Sequence, residues 1–197
     1  MKSKLENFWY YHKYHLLAAL LALLALIVAV KSCSAKKKYD ASVLLLTHST
    51  KVTAIQTDSV GSFIAGFAED VDGNGEVAVQ VKSISYGYSA KEANSAVSAR
   101  LALLAAGNDL LLVLDSQDYA ELKEGGFIAD LSPFGGSGDK LEAGAIGLYA
   151  AAPGLDDDDY GYVLCLRTKD NERFGQDPDY AAKYSLCENV IRSIINQ

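Results

Sequence analysis

Apolar residues fall along this chain in three rhythms. Residues 16–30 (LLAALLALLALIVAV) form a run with no charged or polar side chain. Residues 41–46 and 109–115 hold shorter unbroken runs, one closed by Thr47-His48-Ser49-Thr50 and the other flanked by Asp109 and Asp115. Runs of that length between turn residues read as strands buried on both faces. Elsewhere the spacing is helical or alternating. Val60, Phe63, Ile64 and Phe67 predict a helix within 52–69. Val77, Val79 and Val81 against Ala78 and Gln80 predict a strand over 76–84. Ser89 with Glu92 is a capping box. The helix it opens runs to Ala106 and stops at Gly107-Asn108, with Ala93, Val97, Leu101 and Leu104 expected on its buried face. A short helix over 116–123 ends at Gly125-Gly126. Residues 127–147 read as irregular and 147–152 as a short strand. A further strand over 161–167 sets Tyr162, Leu164 and Leu166 opposite Val163 and Cys165. Asp177-Pro178 places a capping side chain before a proline at the first helical position, and opens a last helix with Tyr184, Cys187, Ile191 and Ile194 on one stripe. This alternation predicts an α/β domain, one mostly parallel sheet flanked by helices.

The first run sets the compartment. At about 1.5 Å per residue it falls short of a ~30 Å hydrocarbon core. Tyr14 and His15 on one side and residues 32–35 on the other extend it, and Lys31 can snorkel. The aromatic Phe8-Trp9-Tyr10-Tyr11 lies where a span would meet the interface. We therefore expect a juxtamembrane segment over 1–15, a transmembrane anchor over 16–33, a basic linker over 34–40 and an extracytoplasmic α/β domain over 41–197. The cell-membrane protein would then be single-pass with its N-terminus inside. The same run also fits the apolar region of a cleaved signal, and Val30-Lys31-Ser32-Cys33 resembles a lipid-attachment site except for Lys31.

Charge sharpens the picture. Seven of the 18 basic residues but only one of the 25 acidic ones lie before Tyr39, so the rest carries 11 basic and 24 acidic side chains, a net of −13. Such a domain repels phosphate backbones, which argues against nucleic acid as a partner. It also stands off anionic lipid, with Lys36-Lys37-Lys38 at its foot. Beyond Cys33 the cysteines are Cys165 and Cys187. They could form one disulfide in an oxidising compartment, or serve as two buried small hydrophobes.

Residues 89–134 carry a resemblance. A capped helix ends in Ala105-Ala106-Gly107, and Asn108-Asp109-Leu110 opens an apolar strand that ends in Asp115. Tyr119-Ala120-Glu121-Leu122, Gly125-Gly126-Phe127 and Ala129-Asp130-Leu131 follow. This stretch resembles the first lobe of extracellular solute-binding proteins, of the type 2 periplasmic-binding fold. The N-terminal FWYYHKYH ahead of an apolar run looks like that of single-anchor membrane proteins of Gram-positive anaerobes. The resemblance implies a lobe that presents ligand contacts at its strand ends. Full binding proteins grip solute between two lobes, and 41–197 has room for little more than one.

Candidate chemistry is sparse. His48 is the only histidine outside the N-terminal region, and it follows the first strand. Open α/β sheets place ligands at such strand ends, so His48, Ser49, Asp115 and Ser116 are the expected ligand contacts. Residues 70–77 resemble the start of a calcium loop, with Asp70, Asp72 and Asn74 at positions 1, 3 and 5 and Glu76 beside them. Position 12 is Val81, which lacks the bidentate carboxylate, so a plain acidic turn is the competing reading. Calcium is thus the one cofactor considered. No G-x-S-x-G, CxxC or HExxH motif occurs, and an enzyme is not expected. The favoured expectation is an interaction or scaffold domain that docks on another envelope protein. The alternative is a small-molecule or peptide binding module.

Overall fold

A computed structural model describes residues 39–49, 52–71, 73–86, 89–156 and 160–197, together with Tyr14, Ala18 and residues 20–24. The chain divides into two units, Met1–Lys38 and Tyr39–Gln197. In the first, Tyr14, Ala18 and residues 20–24 are helical and exposed. The rest of the expected anchor over 16–33, with Cys33, lies outside the described residues. Among the described residues no helix is long and apolar enough to cross a membrane.

The second unit is built on five strands: β1 (Ala41–Thr47), β2 (Val79–Ser85), β3 (Leu111–Asp115), β4 (Leu141–Glu142) and β5 (Tyr162–Leu166). Their order in the sheet is β2-β1-β3-β5-β4. Helices α1 (Ala54–Ala65) and α2 (Ala90–Ala106) make the crossovers from β1 to β2 and from β2 to β3. Both resulting pairings are parallel, with Val43 opposite Val81 on one side and Leu111 on the other. The sheet is α/β as expected but mixed rather than mostly parallel, because β5 runs antiparallel to both β3 and β4. Parallel neighbours need a crossover over the sheet face, and antiparallel ones do not. After α3 (Ser116–Glu124), a 3-10 turn at Ser132–Phe134 leads to β4. Only the four-residue α4 (Leu148–Ala151) intervenes before β5, so the chain re-enters in the opposite sense. Residues 147–152, expected as a strand, hold this helix instead. Two helices, α5 (Asn171–Gln176) and α6 (Pro178–Ile195), close the chain.

Local signals account for the helix ends. Ser89 and Glu92 form the reciprocal capping box, and Gly107 ends α2 in the left-handed region at φ 66°. A second box, Thr53 with Gln56, opens α1. Asp177 caps α6 by accepting from Tyr180 N–H, with Pro178 at the first position.

The strand alternation divides the core in two. Val43, Leu45, Leu111, Val113, Tyr162, Leu164 and Leu166 face α1 and α6. Leu44, Leu46, Leu112, Leu114, Val163 and Cys165 face the other way, with Ala96 and Leu104 of α2 and Leu122 of α3. Each fully buried leucine stabilises the fold by about 1.5–3 kcal/mol relative to exposure. The face of α2 differs from expectation. Val97 and Leu101 are exposed, and the inner stripe is Ala96, Arg100, Leu103 and Leu104. The helix turns this way because Arg100 reaches inward to a carboxylate and small Ala96 lets it approach the sheet.

The two domain cysteines are free. Cys165 belongs to one core and Cys187 to the other, on opposite faces of the sheet, so the disulfide considered from sequence is not formed. Burial pushes the Cys187 thiol up to about 12 and raises that of Cys165 as well. In a Cys33→Ser background, a thiol reagent at pH 8 should label neither cysteine in the native protein and both after denaturation. Rapid native labelling counted by mass spectrometry would contradict this burial.

Candidate functional site

The chain leaves β1 for β2 on one side and returns to β3 on the other, so the ends of β1 and β3 flank a topological switch point. In open α/β sheets the loops at such a point diverge to opposite faces, and ligands bind beside them. His48 follows β1 directly, and Asp115 is the last residue of β3.

Asp115 acts in two directions. Its Oδ1 accepts from the backbone N–H of Gln117 (3.0 Å) and Asp118 (2.9 Å), capping α3. Its Oδ2 accepts from His48 N–H (2.6 Å) and lies 2.8 Å from His48 Nδ1. A carboxylate only accepts, so this contact places a proton on Nδ1. The ring stacks on Tyr86, with centroids 4.2 Å apart and planes 14° from parallel. Tyr160 lies on a wider approach at 6.3 Å. The His48 side chain keeps 22% of its surface in solvent, while Asp115 and Asp118 are fully buried.

Asp118 faces the same point from the first turn of α3. Its Oδ1 accepts from Tyr86 O–H (2.8 Å) and lies 3.2 Å from Arg100 Nη1. Arg100 also donates to Glu121 (2.7 Å). The other oxygen, Oδ2, has no hydrogen-bond donor among the described residues and sits 3.7 Å from His48 Nδ1. Burial raises the Asp118 carboxyl above its usual range, and the nearby Asp115 charge adds to this against Tyr86, Arg100 and His48. The Tyr86 hydroxyl is pushed up chiefly by burial and then by Asp118.

Of the expected contacts, the structure brings His48 and Asp115 together. Ser49 is buried under the loop; its N–H donates to Thr47 Oγ1 and its carbonyl accepts from Ser85 Oγ. Thr47 Oγ1 in turn shares a hydrogen bond with Tyr162 O–H. Ser116 is exposed, and its N–H ties the Tyr160 carbonyl to the head of α3. No family model, curated protein or solved structure matches this chain. The site therefore rests on its own geometry. Sequence reasoning missed Asp118, Tyr86 and Tyr160. The first carried a signal, since Asp115-Ser116-Gln117-Asp118 places a carboxylate at the cap and another three positions on. Nothing local marks the two tyrosines.

The calcium reading lies elsewhere. Asp70 Oδ1 accepts from Gly73 N–H (2.7 Å), its Oδ2 accepts from Gly75 N–H (2.6 Å), and Asn74 Oδ1 accepts from Glu76 N–H (2.8 Å). These oxygens hold the turn's own backbone, with Gly73 and Gly75 at positive φ. Glu76 is exposed, and Asp72 lies outside the described residues.

Asp118→Asn tests the electrostatics. The amide keeps an acceptor for Tyr86 and Arg100, supplies N–H groups at the Oδ2 position and removes a buried charge beside Asp115. In chelator at pH 7 it should stabilise the fold by about 1 kcal/mol, a rise of about 2–4 °C in melting temperature. The raised folded-state pKa of Asp118 means that the wild type loses stability as pH rises through that value. The advantage of the variant should therefore grow with pH and vanish in acid, as read by denaturation midpoints.

Proposed function

We propose that the chain is a membrane-tethered, extracytoplasmic binding module of one lobe, whose ligand contacts His48, Tyr86 and Tyr160 above Asp115. One observation carries this reading: a part-exposed imidazole at the switch point, held by a buried carboxylate and stacked on a ring. Two buried carboxylates beneath the ring favour a cationic ligand. An anion is disfavoured because the Asp115 side chain already caps the N-terminus of α3. Resemblance to a solute-binding lobe supports the same place for the contacts. The apolar run over 16–30 between basic flanks supports the tether.

A panel of amino acids, polyamines and basic dipeptides, scanned in chelator by thermal denaturation, tests the reading. Binding to the native state must raise the melting temperature. A rise that disappears in His48→Ala is expected; no rise across the panel rejects a cationic organic ligand. Protease added to intact cells tests the topology, with digestion of 41–197 from outside expected and full protection until lysis overturning it.

A second reading, docking on an envelope protein, is favoured by one feature. Val97 and Leu101 of α2 are 42% and 62% exposed beside a groove lined by Arg100, Leu104 and Phe127. Paired Val97→Asp and Leu101→Asp changes should then abolish cross-linking to that partner and leave the melting temperature unchanged.

A further inference from the structure

We infer that His48, Asp115 and Asp118 form a site for one divalent transition-metal ion of the zinc class. The inference deepens the reading above, since it names the cation that the switch-point side chains take.

The arrangement of the two carboxylates carries it. Each has one oxygen held by donors behind the site: Oδ1 of Asp115 by the amides of Gln117 and Asp118, and Oδ1 of Asp118 by Tyr86 and Arg100. The other oxygens lie near His48 Nδ1, Asp115 Oδ2 at 2.8 Å, where it also accepts from His48 N–H, and Asp118 Oδ2 at 3.7 Å. His48 Nδ1 and one oxygen from each aspartate all lie within 4.8 Å of one another. Metal-binding carboxylates are oriented in this way by outer partners. The second observation is independent of the clustering. Asp118 is fully buried, yet its Oδ2 has no hydrogen-bond partner among the described residues. A buried carboxylate oxygen without a donor is costly, and a cation at this point supplies what it lacks.

The donor set selects the ion. One imidazole nitrogen and two carboxylate oxygens suit zinc-class ions, whereas calcium takes six to eight oxygens. Three protein ligands leave a position for water or a ligand atom, and the part-exposed His48 side chain gives access from solvent. Coordination through Nδ1 requires the imidazole proton to move to Nε2, so the bound and free proteins differ in tautomer.

The test uses the full chain in non-ionic detergent, stripped with chelator. Zn²⁺ is titrated calorimetrically, Co²⁺ is followed by its visible absorption, and His48 is followed by nitrogen NMR. One ion per chain is expected, with a rise in melting temperature and a Nδ1-to-Nε2 proton shift. Asp118→Asn and His48→Ala should each weaken binding by at least about a hundredfold. Asp118→Asn is the decisive variant, because it is expected to fold at least as well as the wild type. Absence of Zn²⁺ binding by the wild type overturns the inference. So does undiminished binding by Asp118→Asn, which would place the ion at His12, His15 or the acidic residues 156–159. If amines raise the melting temperature in chelator and Zn²⁺ does not bind, the metal inference fails alone. If neither binds, the binding reading fails with it.

Discussion

Asp115→Ala is expected to destabilise the domain by about 3 kcal/mol. The cap on α3 contributes about 1 kcal/mol of this, because two amides of the first turn lose their acceptor. The remainder comes from His48 N–H, which loses a 2.6 Å acceptor next to fully buried strand ends. A shift of the urea midpoint at unchanged slope is the measurement. His48→Ala should cost much less, since the 22%-exposed ring leaves no buried donor behind. In a double-mutant cycle the two changes should therefore be non-additive, because the side chains share a contact. A loss of less than 1 kcal/mol in Asp115→Ala would mean that water replaces the cap, and the carboxylate would then owe its place to the ligand alone.

Lys82→Met should cost about 3–5 kcal/mol. Lys82 Nζ lies 2.7 Å from Asp109 Oδ1, and Ser42 Oγ donates to the same oxygen. Asp109 is fully buried, and its Oδ2 has no hydrogen-bond partner among the described residues. Methionine keeps the apolar stem of the lysine but strands the carboxylate, and an uncompensated buried charge is the expensive outcome. Adding Asp109→Asn to Lys82→Met should restore most of the loss, because the pair removed together leaves no stranded charge. Failure of that rescue would assign the loss to packing at the β2 edge rather than to electrostatics.

The candidate site was legible in the sequence only along β1 and β3. His48 and Asp115 could be placed there because each follows an apolar run, and a strand end is visible in one dimension. Their contact spans 67 residues, and the stacking ring comes from Tyr86 after β2. Neither distance is encoded in local spacing. Asp118 could have been read as a cap neighbour, but its facing His48 depends on how β1 and β3 register.

The anchor, the linker and the acidic charge of residues 41–197 are readings of the sequence alone. So are the positions of β1, α2, β3, β5 and α6, because apolar periodicity and capping residues are local properties of the chain. Only the tertiary structure decided the sense of β5, the inward face of α2, the separation of Cys165 from Cys187 and the convergence of two buried aspartates on one histidine. Those outcomes depend on which elements meet, and periodicity records that a residue is buried without recording against what.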